Sequence, residues 1–260
     1  MLQKTVNGIS LYQFESFNEL PIQHAFFGRK GGVSLAPYES LNQGNTVGES
    51  RENVIENRRR SFEAIQRPVE SIFDVWQVHG TTILCSEAPR PLDEPHQKAD
   101  AVFTQNPEVT LFMRFADCVP IMLFDPITKT VGIIHAGWQG TVKKIVSDAI
   151  ETIREHYQVD PTNLFAGIGP SIGKCHYQVG NEVVEAVNNS FGSHADALIE
   201  FREGKSYFDL WKANEILLKT AGVSKIQVAE ICTACHTDEF FSHRAEKGST
   251  GRFAGALHLK

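Results

Sequence analysis

The stretch ADCVPIMLFDPITKTVGIIHAGWQGT, residues 116–141, decides the fold because it places a turn signal between two apolar segments. Residues 121–124 and 131–134 are apolar and rich in β-branched side chains, which is typical of strands. The Asp125-Pro126 pair between them favours a turn, since Asp suits the first turn position and Pro presets φ at the second. We therefore predict an antiparallel hairpin that turns over residues 125–128.

Cys118 and His135 stand at the entrance and the exit of this hairpin. If the turn spans residues 125–128, the two residues lie opposite each other on one sheet face, with Cβ atoms about 4.5–5.5 Å apart. At that separation a thiolate and an imidazole can share a metal ion or a proton. A slip of register would separate them, and the alternative is a buried structural cysteine near a strand-end histidine.

His79 offers a third group, because it closes a predicted strand at residues 72–80. With Cys118 and His135 it completes a His2Cys set, which suits a catalytic zinc site with one open position. The spacing of the three residues along the chain is not that of a zinc finger, so the interpretation depends on the fold bringing them together.

Two other interpretations of the same residues stay open. Cys118 and His135 could be the nucleophile and base of a cysteine hydrolase, oriented by Asp117 or Asn42. The His2Cys set also matches the equatorial ligands of a blue-copper site, although no nearby axial methionine is evident.

The composition is that of an ordinary globular protein. Of the 260 residues, 42% are hydrophobic and 22% are charged. The formal net charge of −6 disfavours a nucleic-acid partner. The chain has no signal-peptide pattern and no long apolar segment, so we expect a cytoplasmic protein with no membrane partner. Five cysteines, an odd number, predict free thiols or metal ligands and not a disulfide framework.

Strand and helix patterns alternate along the chain, but the hairpin is antiparallel. We therefore predict an α+β fold, a single mixed layered α/β domain over residues 1–260, and not a doubly wound parallel sheet. Helices are predicted at 50–66, 141–157, 181–191 and 209–222, and further strands at 81–87, 163–173 and 225–232. The strand at 81–87 is expected to pair with that at 72–80. The helix from Thr141 has an apolar face, and its N-terminus would be able to hold an anion.

Several polar and aromatic side chains are candidates for binding a substrate. Arginines in glycine-rich or polar loops suit phosphate or carboxylate, and an aromatic ring can stack on a base, although each of these residues also suits an ordinary surface or loop position. The candidates are Arg29, Asn42, Arg58, Phe240, Arg244 and Arg252, with Phe241 as an alternative ring. A separate motif, Cys232-Thr-Ala-Cys235-His236, has the spacing of haem attachment; without an export signal, a strand-end thiol pair is the favoured interpretation.

An ordered set of motifs resembles one bacterial family. WQVHG, ADCVPI, HAGWQGT, GPSIGKCHYQVG and CT followed by FFSHR and TGR are similar to the YlmD/YfiH family, also called the laccase-domain or multicopper polyphenol oxidase family. HAFFGRKGGVS and SLNQGN with ENR match its N-terminal region, and the resemblance runs from about His24 to Arg252. Gly28 departs from the family pattern, in which a small hydroxyl residue is usual.

The resemblance implies a YfiH-like α+β domain with zinc held by residues matching His79, Cys118 and His135, with copper as a possible metal. It implies phosphorolysis of adenosine, inosine and methylthioadenosine to the free base and the ribose 1-phosphate, together with deamination of adenosine. The implied ligands are purine nucleosides and phosphate, and we expect a monomer or homodimer. In deamination, a metal-activated water would attack C6 of the purine. In phosphorolysis, arginines such as Arg244 or Arg29 would hold phosphate beneath the ribose. The general acid and base is unidentified, with Asp117 as a weak candidate.

Three alternatives remain at this point. A copper polyphenol oxidase predicts oxygen uptake with a phenol. A cysteine hydrolase acting on a cell-wall fragment predicts metal-independent activity that thiol alkylation abolishes. A non-catalytic nucleotide-binding protein predicts binding of adenosine without turnover.

Overall fold

The computed structural model describes residues 1–260, and its strands form three sheets. The strands are β1 Leu2–Val6, β2 Ile9–Gln13, β3 Ile22–Phe27, β4 Ile72–Phe73, β5 Ile83–Cys85, β6 Ala101–Thr104, β7 Thr110–Phe115, β8 Val119–Asp125, β9 Thr130–Ala136, β10 Phe165–Ile168, β11 Gln178–Val179, β12 Ile199–Arg202, β13 Lys205–Phe208, β14 Lys225–Val228 and β15 Phe253–Leu259. The helices are α1 Arg51–Ala64, α2 Trp138–Val142, α3 Ile145–Tyr157, α4 Asn181–Phe191 and α5 Leu210–Thr220. None of the helices is long and apolar enough to cross a membrane.

Two six-stranded sheets pack face to face. The first has the order β1-β2-β3-β15-β7-β4 and the second β14-β10-β8-β9-β6-β5; a small third sheet has the order β11-β13-β12. Most neighbouring strands are antiparallel, with parallel pairs at β4·β7, β5·β6 and β10·β14. The predicted α+β fold of mixed layers is therefore confirmed.

The alternation of side chains along each strand produces the layers. In β8, Met122 and Phe124 join the core between the two large sheets, whereas Ile121 and Leu123 face the opposite side. On that side the second sheet packs against α3, α4 and α5, and on the outer side of the first sheet Phe62 of α1 packs into a third core. The order of layers is helix, sheet, sheet, helix.

The hairpin at residues 116–141 forms, but its register differs from the prediction by two residues. Asp125 pairs with Thr130, and His135 pairs with Pro120 instead of lying opposite Cys118. The turn is longer because the Asp125 carboxylate accepts hydrogen bonds from the backbone N–H groups of Ile127 and Thr128, at 3.1 and 3.2 Å. A shift of two leaves every side chain on its predicted face.

The predicted strand at residues 72–80 is wrong beyond Phe73. The side chain of Gln77 takes the place of a ladder partner, because its Nε2 donates to the carbonyl of Arg114 at 2.7 Å and its Oε1 accepts from the Arg114 N–H at 3.0 Å. The predicted pairing of 72–80 with 81–87 is also wrong, since β5 pairs with β6.

The helix predicted at 141–157 is divided in two. It begins at Trp138 after the N-cap Gly137, and it breaks before α3 where Lys144 has a left-handed φ of 63°. Thr141 lies inside the short α2, and its hydroxyl bonds the side chain of Asn214. The expected helix N-terminus at Thr141 is therefore absent, and with it the expected anion site there.

Candidate functional site

Three separate loops and strand ends bring His79, Cys118 and His135 together. Their potential ligand atoms all lie within 4.8 Å of one another, and Sγ of Cys118 is 3.7 Å from Nε2 of His79. The rings of His79 and His135 meet nearly edge to face, with centroids 4.9 Å apart. Two imidazoles and one thiol converging in this way could hold a metal ion.

Asp100, which the sequence interpretation missed, organises this cluster. Its buried carboxylate lies 2.8 Å from Nδ1 of His135 and accepts hydrogen bonds from the backbone N–H groups of His79 and Gly80, at 3.0 and 2.7 Å. Burial raises the pKa of Asp100, but these hydrogen bonds and the charge of His135 outweigh it and lower the pKa. Asp100 directs Nε2 of His135 toward Cys118, so the donor set and its support fit a metal site.

The same contacts pair the thiol and the imidazole electrostatically. Burial opposes ionisation of Cys118, yet the charge of His135 and hydrogen bonds from both histidines outweigh burial and lower the pKa of Cys118. For His135, burial lowers the pKa, but Cys118 and Asp100 outweigh it and raise the pKa. Without a metal, these shifts favour a thiolate beside an imidazolium.

Gly137 keeps the space between the ligands free. A Cβ atom at this position would lie 3.0 Å from Sγ of Cys118 and 3.1 Å from Cδ2 of His79. Its φ of −71° is open to any residue, so close packing against the cluster is the reason for glycine here.

Two cavities meet at the cluster. The first, of about 340 Å³, is lined mainly by polar residue types and includes Trp76, His96, Arg114 and Arg252. The second, of about 360 Å³, is half hydrophobic. His79, Ala116, Cys118 and His243 line both cavities. His79 and Cys118 therefore face two chemically different spaces at once, whereas His135 faces only the first.

A buried charge cluster lies behind the first cavity. The Asp74 carboxylate, fully buried, contacts the guanidinium groups of Arg58, Arg90 and Arg114 at 3.5, 2.8 and 3.2 Å, and Nε2 of His96 at 2.9 Å. Burial raises the pKa of Asp74, but these groups outweigh it and lower the pKa strongly. Three cations against one carboxylate leave a surplus of positive charge beside the cavity.

The predicted substrate residues fall into two groups. Arg252 lines the first cavity and Arg244 the second. Asn42 is fully buried and accepts a hydrogen bond from the backbone N–H of Arg252 at 2.8 Å, so it positions that loop.

The remaining candidates lie outside the cavities. Arg29 contacts the ring of Phe241 and bonds Glu246 at 3.0 Å. Arg58 belongs to the charge cluster around Asp74, and Phe240 is fully buried in the core, so its ring cannot stack on a base.

Asp117, considered as an acid or base, already has partners. Its carboxylate accepts hydrogen bonds from the Thr233 hydroxyl at 2.7 Å and from the Arg244 backbone N–H at 2.6 Å. With a left-handed φ of 82°, Asp117 ties the Arg244 loop to the start of β8.

Two residues of the candidate site, Asp100 and His243, were missed by sequence reasoning. Asp100 directly precedes a buried strand in KADAVFT, and His243 adjoins the recognised arginine in FFSHR. A polar residue at the edge of a buried strand was the available signal for Asp100.

The chain is similar to known proteins of one family. Residues 23–260 match the family model described as multi-copper polyphenol oxidoreductase laccase. The chain is 35% identical over 235 residues to the purine nucleoside phosphorylase YlmD of Geobacillus stearothermophilus, covering 86% of this chain and 85% of that protein. It is 32% identical over 234 residues to the purine nucleoside phosphorylase YfiH of Escherichia coli, covering 89% of this chain and 91% of that protein.

Solved structures show the same likeness. The crystal structure of YlmD from Geobacillus stearothermophilus superposes with a TM-score of 0.93 at 31% identity, covering 99% of this chain and 98% of that one. That of the Neisseria meningitidis protein NMB0706 gives a TM-score of 0.85 at 28% identity, with 97% and 99% covered. With the family match over residues 23–260, these likenesses show that the chain belongs to the YlmD/YfiH family, the laccase-domain family.

Proposed function

We propose that this protein is a zinc-dependent purine nucleoside phosphorylase. Its substrates would be adenosine, inosine and methylthioadenosine, with deamination of adenosine as a second activity. The observation that carries the proposal is that a cationic cavity and a half-apolar cavity meet at the cluster of His79, Cys118 and His135, with His79 and Cys118 lining both. The names of the YlmD and YfiH relatives support it.

Phosphate is assigned to the first cavity. Arg114 and Arg252 line it, and the charge cluster behind Arg114 adds to the local positive potential. Guanidinium groups bind phosphate oxygens through charge-assisted hydrogen bonds. His96 lines the same cavity and contacts Asp74, so the carboxylate orients its ring.

The purine is assigned to the second cavity. Trp138 and Tyr177 contribute aromatic surface there, and Ile172 and Leu210 contribute apolar surface. A flat, weakly polar base suits such a lining, since aromatic rings offer contact area and stacking. The ribose would then lie between the two cavities, beside the candidate metal ligands.

Phosphorolysis requires the attacking phosphate oxygen and the departing purine to be held in line through C1′ of the ribose. An oxygen of phosphate bonds to C1′ of the ribose while the bond from C1′ to N9 breaks, and the departing purine keeps the electron pair and gains a proton. Arg114 and Arg252 would hold the attacking anion, and His243, which lines both cavities, is our candidate to give that proton. Bound zinc would supply Lewis acidity at the junction, held by His79, Cys118 and His135.

A second candidate function, a cysteine hydrolase acting on a cell-wall fragment, has one specific observation in its favour. Asp100, His135 and Cys118 form a relay in which the carboxylate orients the imidazole and the imidazole faces the thiol. His79 argues against it, because a second imidazole on the same sulfur suits a metal site and has no role in a nucleophile and base pair. The family description favours a third candidate, a copper polyphenol oxidase.

Product analysis with adenosine separates these functions. Purified protein is incubated with adenosine, with and without phosphate, and the products are separated by chromatography. Adenine that appears only with phosphate supports phosphorolysis, and inosine supports deamination. If neither forms with zinc-loaded protein, the proposal fails; oxygen uptake with a phenol, or metal-independent activity abolished by thiol alkylation, would identify the competing function.

Residues 1–260 would form one catalytic domain. The cavities take residues from Gly44 to Arg252, so both halves of the chain are needed to build them.

A further inference from the structure

A second cluster of metal-binding side chains lies apart from the site described above. It is formed by Cys175 and His176, between β10 and β11, and by Cys232 and Cys235, after β14. One potential ligand atom from each residue lies within 4.8 Å of all the others. The cluster contains three of the five cysteines, all of them free thiols.

The separations within the cluster match the edges of a coordination tetrahedron. Zinc bonds of about 2.3 Å to sulfur and about 2.0–2.1 Å to nitrogen give tetrahedral edges of about 3.8 Å between two sulfurs and about 3.6 Å between sulfur and nitrogen. The Sγ atoms of Cys175 and Cys235 are 3.6 Å apart. Nδ1 of His176 is 3.3, 3.3 and 3.8 Å from Sγ of Cys175, Cys235 and Cys232.

We propose that Cys175, His176, Cys232 and Cys235 form a structural zinc site. Four protein ligands with a Cys3His composition fill a tetrahedral coordination shell, which leaves no open position for a substrate. The site would therefore hold loops together, whereas the His79, Cys118 and His135 cluster leaves a position free.

The backbone around the thiols supports this assignment. The N–H of Gly173 donates to Sγ of Cys232 at 3.2 Å, which stabilises negative charge on that sulfur. The N–H of Cys235 donates to the carbonyl of Cys232 at 3.0 Å, and that of His176 to the carbonyl of Gly173 at 3.0 Å. Each pair of ligands is thus fixed on its own tight turn, and the two turns face each other.

A disulfide between Cys175 and Cys235 is the competing explanation. A disulfide bond requires sulfurs about 2.05 Å apart and an oxidising partner. It would account for two of the four residues and leave the convergence of His176 and Cys232 without a reason. A metal accounts for all four.

The proposed zinc would support the second cavity. Tyr177, which lines that cavity, directly follows the ligand His176. Thr233, which directly follows Cys232, donates to the carboxylate of Asp117 at 2.7 Å, and Asp117 adjoins Cys118. Zinc would join the two loops that bear these contacts, so its loss would loosen one wall of the cavity.

Metal analysis of variants tests the proposal independently of activity. The His79→Ala, Cys118→Ser variant, prepared with reductant, removes the first cluster and should retain about one zinc per chain. Adding Cys175→Ser and Cys235→Ser should remove that zinc, whereas adding Cys85→Ser should not, because Cys85 belongs to neither cluster. Circular dichroism of each variant verifies folding. In the Co2+-loaded background variant, an intense thiolate charge-transfer band should appear and depend on Cys175.

Two results would overturn the proposal. One is a background variant that is folded and reduced yet binds no zinc when zinc is added. The other is a pair of findings on the wild-type protein: its mass without reductant shows a Cys175–Cys235 disulfide, and it never binds a second metal ion. Nucleoside turnover could persist in either case, so failure here is distinct from failure of the proposed phosphorolysis.

Discussion

The Asp100 carboxylate lies 2.8 Å from Nδ1 of His135, and this contact links the residue before β6 to the candidate metal ligand on β9. The backbone N–H of His135 also donates to the carbonyl of Asp100 at 2.7 Å, so the two residues are bound through both backbone and side chain. A carboxylate in this place fixes the imidazole tautomer and strengthens the histidine as a metal ligand.

Replacement of Asp100 by Asn should weaken metal binding about 10- to 100-fold. An amide has one acceptor oxygen, so it cannot serve both Nδ1 of His135 and the backbone N–H groups of His79 and Gly80. Zinc affinity measured by competition with a chromogenic chelator checks this. Asp93→Asn, at an exposed position, is the control; equal affinity in both variants would contradict the role of Asp100.

Gly137→Ala should disturb the metal ligands without straining the backbone. The new Cβ would lie 3.0 Å from Sγ of Cys118, closer than ordinary contact, and we expect zinc affinity to fall about tenfold or more. Gly80→Ala is the matched control, because its Cβ would meet Oδ2 of Asp100 at an ordinary 3.6 Å. If both variants bind zinc like the wild type, Gly137 does not keep the ligand space free.

Arg252→Gln should raise the KM for phosphate about 10- to 100-fold, since a hydrogen bond to a charged group contributes about 1.5–3 kcal/mol. The KM for the nucleoside should change much less, because Arg252 lines the first cavity and not the second. Steady-state kinetics with each substrate varied separate the two constants. Arg154→Gln on the exposed surface of α3 should leave both unchanged; a selective rise in the nucleoside KM for Arg252→Gln would refute the assignment of the cavities.

Stability should decrease in mild acid because of His24. This buried ring accepts a hydrogen bond from the Phe14 backbone N–H at 2.7 Å, so folding favours the neutral imidazole. Burial, with a smaller effect of Lys260 and Lys4, lowers the pKa of His24 from 6.5 to about 3. Between those pH values the unfolded chain binds a proton that the folded chain does not, so stability present above pH 6.5 is lost as the pH falls toward 3.

The expected slope from His24 alone approaches about 1.4 kcal/mol per pH unit in that window. Urea unfolding of the wild type and of His24→Gln at a series of pH values isolates the contribution of His24 to the pH dependence of stability. Gln can accept the same hydrogen bond but does not titrate. The variant should show the shallower profile. Parallel profiles for the two proteins would show that His24 is protonated in the folded state.

The layered α+β fold could be predicted from the sequence because local patterns determine most of its elements. Helices α4 and α5 and strand β10 form where apolar periodicity places them. The register of the central hairpin could not be predicted, because the Asp125 side chain accepts hydrogen bonds from the backbone N–H groups of Ile127 and Thr128 and lengthens the loop. The strand predicted at residues 74–80 does not form, because the side chain of Gln77 makes the hydrogen bonds to the Arg114 backbone that a strand neighbour would make.

The candidate site could be predicted only in part, for a similar reason. The convergence of His79, Cys118 and His135 was expected. The register error of two residues does not affect this prediction, because a shift of two leaves each side chain on the same face of the sheet. Asp100 could not be assigned, since it reaches His135 through the pairing of β6 with β9. The assembly of Cys175 and His176 with Cys232 and Cys235 likewise depends on tertiary contacts, here between the turns that follow β10 and β14.

The most direct test of the proposed function is phosphorolysis of inosine by chelator-treated protein before and after addition of zinc, with Cys118→Ser in parallel. We predict that hypoxanthine and ribose 1-phosphate form in equal amounts, only with phosphate, only after zinc is restored, and not with Cys118→Ser. Undiminished turnover by zinc-free protein or by the folded Cys118→Ser variant would contradict the proposal that His79, Cys118 and His135 hold the catalytic zinc.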